Sequence, residues 1–318
     1  MELLHQNLDS GETRELSGLV TACTVKTVRR GAPGQMDLTL LRDGSVTLAH
    51  GDILALKDGD RKIFYGYLFK VGGGEKEEIK VTAYDQLRYL KNKDTYVFEG
   101  QRADQIAAQI AADFELKTGE MDNTGYVIPS MTMDGKTLFD IILEALDRTL
   151  IHTGKMYVLW DDYGALRLSD VEGGRSVLAV GDGSLATGYT WESSIDSDTA
   201  NQVKLVQDNK STGKRDVYIV KDSARMRRWG VLQHYEKADK GLNAGQLKAQ
   251  AQQMLELYNR PSVKLELSAL EGDLELRAGR SIYVDIADEG LKGWYIIDEC
   301  THDIREETVK MTLLTAGC

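Results

Sequence analysis

The histidines are the side chains best suited to acid–base or metal chemistry, and the sequence keeps them apart. They are His5, His50, His152, His234 and His302. No two lie at the helical or strand spacing that lets a pair of imidazoles bind one metal ion, and none stands next to a cysteine. We therefore predict no metal site and no cofactor.

The carboxylates and hydroxyls give no stronger sign of catalysis. Asp161 and Asp162 are adjacent, but they lie in the polar turn of a predicted β-hairpin. Aspartate is favoured there because its side chain bonds the local backbone. No serine or cysteine has the G-x-S-x-G context of a nucleophile elbow. We predict that the protein is not an enzyme.

Two glycine-containing segments match nucleotide-binding loops only in part. The segment VGDGSLA (180–186) fits G-x-G-x-x-A, but the following TGYTWESS offers no helix start to hold a pyrophosphate. In SMTMDGKTL (130–138) a serine replaces the first glycine of a phosphate loop, and the next four residues are not glycine-rich. This second segment predicts a turn and a helix start, with Asp134 as the cap.

One basic and aromatic segment, ARMRRWG (224–230), has two interpretations. Its notable side chains are Arg225, Arg227, Arg228 and Trp229, in a chain of net charge −11. The segment is either a solvated hairpin or a docking loop, since arginine and tryptophan contribute much of the energy of protein interfaces. The acidic balance of the whole chain argues against a dedicated nucleic-acid-binding protein, which needs clustered lysine and arginine.

Composition predicts a globular, soluble protein made in a cytoplasm. The 318 residues are 42% hydrophobic, which allows two or three domains. No apolar run approaches the roughly 20 residues of a membrane span, and residues 1–16 lack the pattern of a signal peptide. Cys23, Cys300 and Cys318 have no metal or redox spacing and are expected to be reduced.

The most informative pattern is an internal repeat. Residues 43–54 (DGSVTLAHGDIL) and 271–282 (EGDLELRAGRSI) align with a shift of 228. Each copy continues into an apolar strand, a polar turn and a glycine–aromatic pair, and ends in a strand with period-two alternation, over 77–85 or 307–315. The repeated glycines are Gly44 and Gly272, Gly51 and Gly279, and Gly66 and Gly293. We interpret the pattern as an internal duplication.

The predicted fold class is mixed, β-rich α+β, with two similar β-barrels flanking an α+β domain. Residues 1–90 form the first barrel, because short strands with regular turns and no helix bury both faces only by closing or stacking. Residues 91–190 form the inserted α+β domain. Residues 191–318 form the second barrel, with an inserted helix at 243–259 that Asn243 caps.

Three helices are predicted from continuous apolar stripes at helical spacing. The stripes are Ala103, Ile106, Ala107, Ile110, Ala111 and Phe114; Leu138, Ile141, Ile142, Ala145 and Leu146; and Leu247, Ala251, Met254, Leu255 and Tyr258. A hairpin is predicted over residues 155–170, where apolar segments flank the turn DDYG.

The middle of the chain resembles the baseplate hub proteins of contractile phage tails. The segments that carry the resemblance are YDQLRYLKNKDTYVFEGQRADQIAAQIAADFEL (84–116), GYVIPSMTMDGKTLFDIILEALDRTL (125–150) and GKMYVLWDDYGALRLSD (154–170). Within that family the likeness is to the XkdQ-like type of PBSX-like tail particles, and more distantly to late control protein D. It covers nearly the whole chain and is strongest over residues 80–170.

The resemblance implies a structural protein of the baseplate of a virion or tail-like particle, assembled in the bacterial cytoplasm. It implies tail-tube-like barrels and a homotrimer, whose six barrels would form a pseudo-six-fold ring between a hexameric tail tube protein and a three-fold central spike protein. Other baseplate proteins would be further partners, and a tape measure or DNA could pass through the lumen. An acidic lumen would keep DNA from binding.

Two questions stay open at the level of sequence. The alternative function is a tail-associated cell-wall-active enzyme or a glycan-binding module. The source particle could be a phage, a defective prophage particle or a contractile bacteriocin.

Overall fold

The chain folds into one large open sheet and three smaller sheets. In this computed structural model, residues 1–44, 46–75, 77–181, 186–196, 199–209, 213–238, 242–270 and 274–315 are described. Thirteen strands form the large sheet, and the smaller sheets have two, three and three strands. Four α-helices and three short 3-10 helices complete the described elements. The predicted class, β-rich α+β, is confirmed.

The first part of the chain supplies seven strands of the large sheet. They are β1 (Glu2–Gln6), β2 (Thr13–Glu15), β3 (Val20–Val28), β4 (Gln35–Leu41), β5 (Ile53–Asp58), β6 (Arg61–Gly73) and β7 (Glu78–Tyr84). Their order across the sheet is β3-β4-β7-β6-β5-β1-β2. On β4, Met36, Leu38 and Leu40 are buried and their neighbours are less so, the period of two expected when one face of a sheet covers a core.

An α+β unit follows β7. Its elements are β8 (Lys93–Arg102), α1 (Ala103–Asp113), β9 (Thr118–Met121), β10 (Val127–Thr137), α2 (Leu138–Thr153), β11 (Tyr157–Asp161) and β12 (Leu166–Asp170). Strand β8 pairs with β10, and β12 lies between β11 and β9. The predicted stripes of α1 and α2 face one shared core, with Phe114 at its margin. The predicted hairpin is confirmed as β11 and β12.

The predicted cap of α2 is wrong. Thr137, not Asp134, is the N-cap, and its hydroxyl accepts a hydrogen bond from the Asp140 amide at 3.1 Å. Asp134 instead accepts a hydrogen bond from the Thr95 hydroxyl. The reason is that β10 continues to Thr137, so the helix begins three residues later than the turn residues suggested.

The remainder of the chain returns to the large sheet and carries a second insertion. Its elements are β13 (Arg175–Gly181), β14 (Ala186–Ser194), β15 (Gln202–Asn209), β16 (Lys214–Lys221), α3 (Ser223–Trp229), β17 (Gln233–Lys237), α4 (Ala244–Tyr258), β18 (Ser262–Leu270), β19 (Ser281–Ile286), β20 (Leu291–Asp303) and β21 (Thr308–Thr315). Because β13 pairs with β19 and β14 pairs with β18, these two strands belong with the C-terminal strands, and the boundary predicted at residue 190 does not follow the strand pairing.

The second insertion lies between β14 and β18. Strand β15 is flanked by β16 and β17, and α4 packs its apolar face against Val203 and Leu205 of β15. The predicted helix over 243–259 is confirmed as α4, with the Asn243 side chain accepting from the Gln246 amide at 3.0 Å. The inserted segment is larger than predicted, because the three-stranded sheet and α3 belong to it.

None of the sheets in the described part of the chain closes on itself, so the prediction of two barrels is not confirmed. The two halves of the large sheet have separate cores, one around Leu38 and Leu54 and the other around Leu267 and Ile282. They are joined where β20 pairs with β3. No described helix is both long enough and apolar enough to span a membrane.

Candidate functional site

The two copies of the predicted repeat have the same backbone hydrogen bonds. Strands β5 and β19 have the same bounds after the shift of 228. The amide of Gly51 donates to Leu68 O, and the amide of Gly279 donates to Ile297 O, both at 2.8 Å. The matching return bonds run from the Leu68 amide to Asp52 O and from the Ile297 amide to Arg280 O. The internal duplication is therefore present in the geometry as well as in the sequence.

The duplication is larger than the sequence suggested. The ladder β3-β4-β7-β6-β5 corresponds strand by strand to β14-β18-β21-β20-β19. Both copies have a register irregularity at the same step of the first ladder, after Val20 and after Ala186. The next strand outward breaks the symmetry, because β1 is antiparallel to β5 whereas β13 is parallel to β19.

The repeated glycines divide into two groups. Gly51 and Gly279 occupy equivalent turns, with φ of +94° and +88°, a conformation that strongly favours glycine. Gly66 and Gly293 are not equivalent, contrary to the alignment, since Gly66 pairs with Leu54 and Gly293 pairs with Val284. Strands β6 and β20 both contain register irregularities. The one-residue gap in the sequence alignment was therefore put at the wrong position. Gly44 lies in an exposed turn with φ of +75°, and its counterpart Gly272 lies outside the described residues.

Within the chain, the second copy is joined to the first by an antiparallel ladder, which we call the internal joint. It pairs residues 299–303 of β20 with residues 24–28 of β3. Side chains reinforce it. Lys26 forms a salt bridge with Glu299 at 2.7 Å, and Arg29 forms one with Asp298 at 2.8 Å. The hydroxyl of Thr27 also accepts a hydrogen bond from the Ala278 amide at 2.9 Å.

The strands equivalent to those of the internal joint have open edges. β20 corresponds to β6, and no described strand pairs with the outer edge of β6 over residues 70–73. β3 corresponds to β14, which stands at the end of the described sheet order and is exposed along most of its length. Each of these two edges is therefore paired in one copy of the repeat and open in the other copy. We call the two open surfaces the β6 edge and the β14 edge.

Side chains that are buried at the internal joint have exposed counterparts at the open edges. At the internal joint Cys300 and Val25 are 0% and 3% exposed. Their counterparts Val71 and Trp191 are 38% and 42% exposed. Beside the β6 edge lies an apolar groove of about 330 Å³, lined in part by Val46 and Leu48. Large apolar side chains exposed along a strand edge mark an interaction surface.

The segment ARMRRWG is a helix and not a hairpin. Residues 223–229 form α3, because the Asp222 side chain accepts hydrogen bonds from the amides of Ala224 and Arg225 and so caps the first turn. Arg225 lies over the Trp229 ring, 5.2 Å from its centroid. Arg227 and Arg228 are exposed. Its role as a docking segment stays a prediction.

The histidines have separate environments. His5 Nε2 lies 2.8 Å from Asp52 Oδ2, and His302 Nε2 lies 2.6 Å from Leu276 O, both in buried positions. His152 stacks on Tyr126, His234 stacks on Tyr258, and His50 is exposed. Among the described residues no group of three or more His, Cys, Asp or Glu side chains is arranged to hold a metal ion.

The two described cysteines lie in the two cores of the large sheet. Cys23 and Cys300 are buried free thiols, and burial raises the pKa of Cys23 to about 12. A thiol with such a pKa is a poor nucleophile at neutral pH. Cys318 lies outside the described residues, as does most of the segment 180–186.

The β11–β12 turn that follows Asp161 contacts the large sheet, because Tyr163 packs against Tyr65 of β6. Burial raises the pKa of Asp161 to about 7 and raises the pKa of Asp85 well above its usual value. Asp85 accepts hydrogen bonds from the amides of Gly34 and Leu87, at 2.8 and 3.0 Å. It therefore connects the β3–β4 turn to the start of the insertion. Asp162 forms a salt bridge with Arg167 at 3.0 Å.

The sequence did not reveal the open edges. Lys70, Val71, Trp191 and Glu192 carry no motif, and the β14 strand lies outside the aligned repeat. A weak signal was available, since VTACTVKTV (20–28) and ATGYTWESS (186–194) share threonines at two equivalent positions. The equivalence of β3 and β14 is established by the register of their ladders and not by these threonines.

Comparison with known proteins relates most of the chain to one family. A family model described as YQBQ-like matches residues 23–315. The uncharacterised protein YqbQ of Bacillus subtilis (strain 168) is 36% identical over 273 residues, which cover 84% of this chain and 81% of YqbQ. The phage-like element PBSX protein XkdQ of the same organism is 33% identical over 312 residues, 95% of this chain and 94% of XkdQ.

A solved structure shares the fold. The crystal structure of the 43 kDa tail protein of prophage MuSo2 from Shewanella oneidensis has a TM-score of 0.70 at 13% identity, over 98% of both chains. At this identity the similarity concerns the fold.

Proposed function

Because the chain belongs to the YQBQ-like family, as its resemblance to XkdQ indicated, we propose that it is a structural baseplate hub of a contractile tail or tail-like particle, with no catalytic role. The observation that carries this proposal is the duplicated ladder, whose one internal joint has two open counterparts on the same chain. The β6 edge and the β14 edge of one chain are the two halves of such a joint. Each can therefore pair with the complementary edge of another copy of the chain.

The proposed assembly is a homotrimer. A head-to-tail interface generates a closed ring if the rotation per copy closes and a filament if it does not. Three copies place six similar repeat units around one axis. Such a ring has approximate six-fold symmetry in its repeats and true three-fold symmetry in its chains. It would therefore match both a hexameric tail tube protein and a three-fold central spike protein.

The other proposed partners follow from that position. The two inserted units, built around α2 and α4, would contact other baseplate proteins, and the exposed Arg227 and Arg228 of α3 are candidates for such a contact. A tape measure or DNA would pass through the lumen of the ring. The net charge of −11 suits a conduit for DNA, because like charges repel.

The test is the mass of the full-length protein by light scattering, alone and with its tail tube and spike proteins. We expect three times the 35.4 kDa of one chain in at least one of these conditions. A persistent monomer that binds neither partner would refute the hub. Hydrolysis of purified cell wall that depends on one histidine or carboxylate would favour the enzyme alternative instead.

A further inference from the structure

We propose that the β6 edge of one copy pairs with the β14 edge of a second copy, in the register that β20 and β3 adopt within the chain. This inference rests on the proposed hub and specifies its self-association surface. The occupant of each edge is a second copy of this chain, because the chain already contains the equivalent pair of strands in contact. Within the described part of the chain, this internal pair supplies a geometry that a second copy can repeat.

The register follows from the equivalence of the ladders. Thr27 pairs with Cys300 in the internal joint. The first ladder makes Thr27 equivalent to Ser193, since β3 and β14 match with a shift of 166. The ladders with β7 and β21 make Cys300 equivalent to Val71. Val71 of one copy therefore lies opposite Ser193 of the next.

The neighbouring positions extend the same antiparallel ladder. By the same equivalence, Lys70 lies opposite Ser194, and Gly73 lies opposite Trp191. The hydroxyl of Thr27, which accepts from the Ala278 amide at the internal joint, is replaced by the hydroxyl of Ser193. In the joint between two copies, the Ser193 hydroxyl accepts a hydrogen bond from the amide of His50, which is the counterpart of Ala278.

Charge complementarity supports this register. At the internal joint the cation is Lys26 on β3 and the anion is Glu299 on β20. Their counterparts are Glu192 on β14 and Lys70 on β6, so the pair is kept with its two signs exchanged. Within the described part of the chain neither Lys70 nor Glu192 forms a salt bridge, although Lys264 lies opposite Glu192 on β18. The exchange of signs also disfavours a wrong pairing. If the β6 edge of one copy paired with β3 of another, Lys70 would lie near Lys26 and the two charges would repel each other.

Shape complementarity supports it as well. Trp191 would lie opposite the glycine segment 72–74, which has no side chains to obstruct a large ring. It would lie on the same face as Val71, beside the apolar groove lined by Val46 and Leu48. At the internal joint the equivalent positions are occupied by Val25 and His302, which are buried together. The larger tryptophan thus compensates for the missing side chain at Gly73.

The register is tested by cysteine pairs in the full-length protein, in a background with Cys318→Ser. Cβ atoms of directly opposed residues lie about 4.5–5.5 Å apart, within reach of a disulfide after a small adjustment. We expect Val71→Cys with Ser193→Cys to give dimers and trimers on a non-reducing denaturing gel after mild oxidation. The matched control is Val71→Cys with Glu192→Cys, because residue 192 lies on the opposite face of β14 and should cross-link far less.

The two single variants sharpen the result. Because the interface is heterologous, neither Val71→Cys alone nor Ser193→Cys alone should cross-link, whereas a mixture of the two, after subunit exchange, should give a dimer band. Equal cross-linking in the control pair, or cross-linking in each single variant, would overturn the proposed register.

The charge pair gives an independent test. We expect Lys70→Glu or Glu192→Lys to raise the dissociation constant for self-association about fivefold or more, the effect of a lost exposed ion pair with added repulsion. The double variant Lys70→Glu with Glu192→Lys should recover most of the loss. Additive losses in the double variant would overturn the pairing of these two side chains.

The outcomes separate this inference from the hub itself. A trimer by light scattering without the specific cross-link and without charge rescue would leave the hub standing and refute this joint. The specific cross-link in an assembly of another size would support the joint and refute the trimer. A monomer at all concentrations, with no cross-link and no partner binding, would refute both.

Discussion

The substitutions Gly51→Ala and Gly279→Ala probe the two copies of one turn and should differ in cost. Both glycines have positive φ, at which an alanine costs about 1–2 kcal/mol. An added Cβ at Gly51 meets no atom within 4 Å, so this strain is the whole expected loss. An added Cβ at Gly279 would lie 2.6 Å from Val158 Cγ1 and 3.1 Å from Val158 Cβ.

The clash adds a second contribution at Gly279 only. Val158 is buried on β11 of the first insertion, with Ile296 as a neighbour, so it cannot move into solvent. Overpacking of this kind costs about 1–3 kcal/mol. We therefore expect Gly279→Ala to lower the free energy of unfolding by about 2–5 kcal/mol and Gly51→Ala by about 1–2 kcal/mol.

Urea denaturation at one protein concentration measures the difference, and Val158→Ala provides the control. Removing the two methyl groups should relieve the clash, so Val158→Ala should cost less in the Gly279→Ala background than in the wild type. Equal losses for the two glycine variants, or no coupling between Gly279→Ala and Val158→Ala, would refute the account of this contact.

Three other predictions concern the cap of α2, the buried Asp161 and the exposed arginines of α3. Thr137→Ala should destabilise the protein by about 1 kcal/mol through loss of the α2 cap, whereas Asp134→Ala should cost less, and thermal denaturation checks both. Burial raises the folded pKa of Asp161 from 3.8 to about 7, so the stability it confers is complete below pH 3.8 and is lost as the pH rises to about 7. Asp161→Asn should reduce this decline in the urea midpoints, and the buried Asp85, whose pKa is also raised, should account for the remainder. Replacing Arg227 and Arg228 by alanine should leave the melting temperature unchanged and weaken binding to another baseplate protein.

Each of these has a contrary result. Equal losses at positions 134 and 137 would mean that the cap bond contributes little. A pH profile of the Asp161→Asn variant parallel to that of the wild type would assign the decline to another group. Unchanged binding of the arginine variant to all baseplate partners would leave α3 as a solvated helix.

The helices and the repeat could be predicted because their signals are local. The stripe from Ala103 to Phe114 faces a core, so burial imposes a strict helical period. The repeat around Gly51 and Gly279 was visible because a positive φ restricts the residue type at both positions.

The rest of the sheet depends on contacts that sequence spacing does not encode. No residue of strand β14 is buried within the chain, so the strand shows no apolar alternation. The insertion at residues 195–261 separates it from β18, whereas the equivalent β3 and β4 are joined by a short turn. Gly66 and Gly293 were aligned on residue type, but the ladder register is set by backbone hydrogen bonds and their irregularities.

End-on electron microscopy of the purified assembly tests the central claim most directly. The ring should show six similar densities around a central opening, with three-fold symmetry in the inserted units outside them. Class averages with a different number of repeat densities, or an assembly in which the β6 and β14 edges face solvent, would contradict the account.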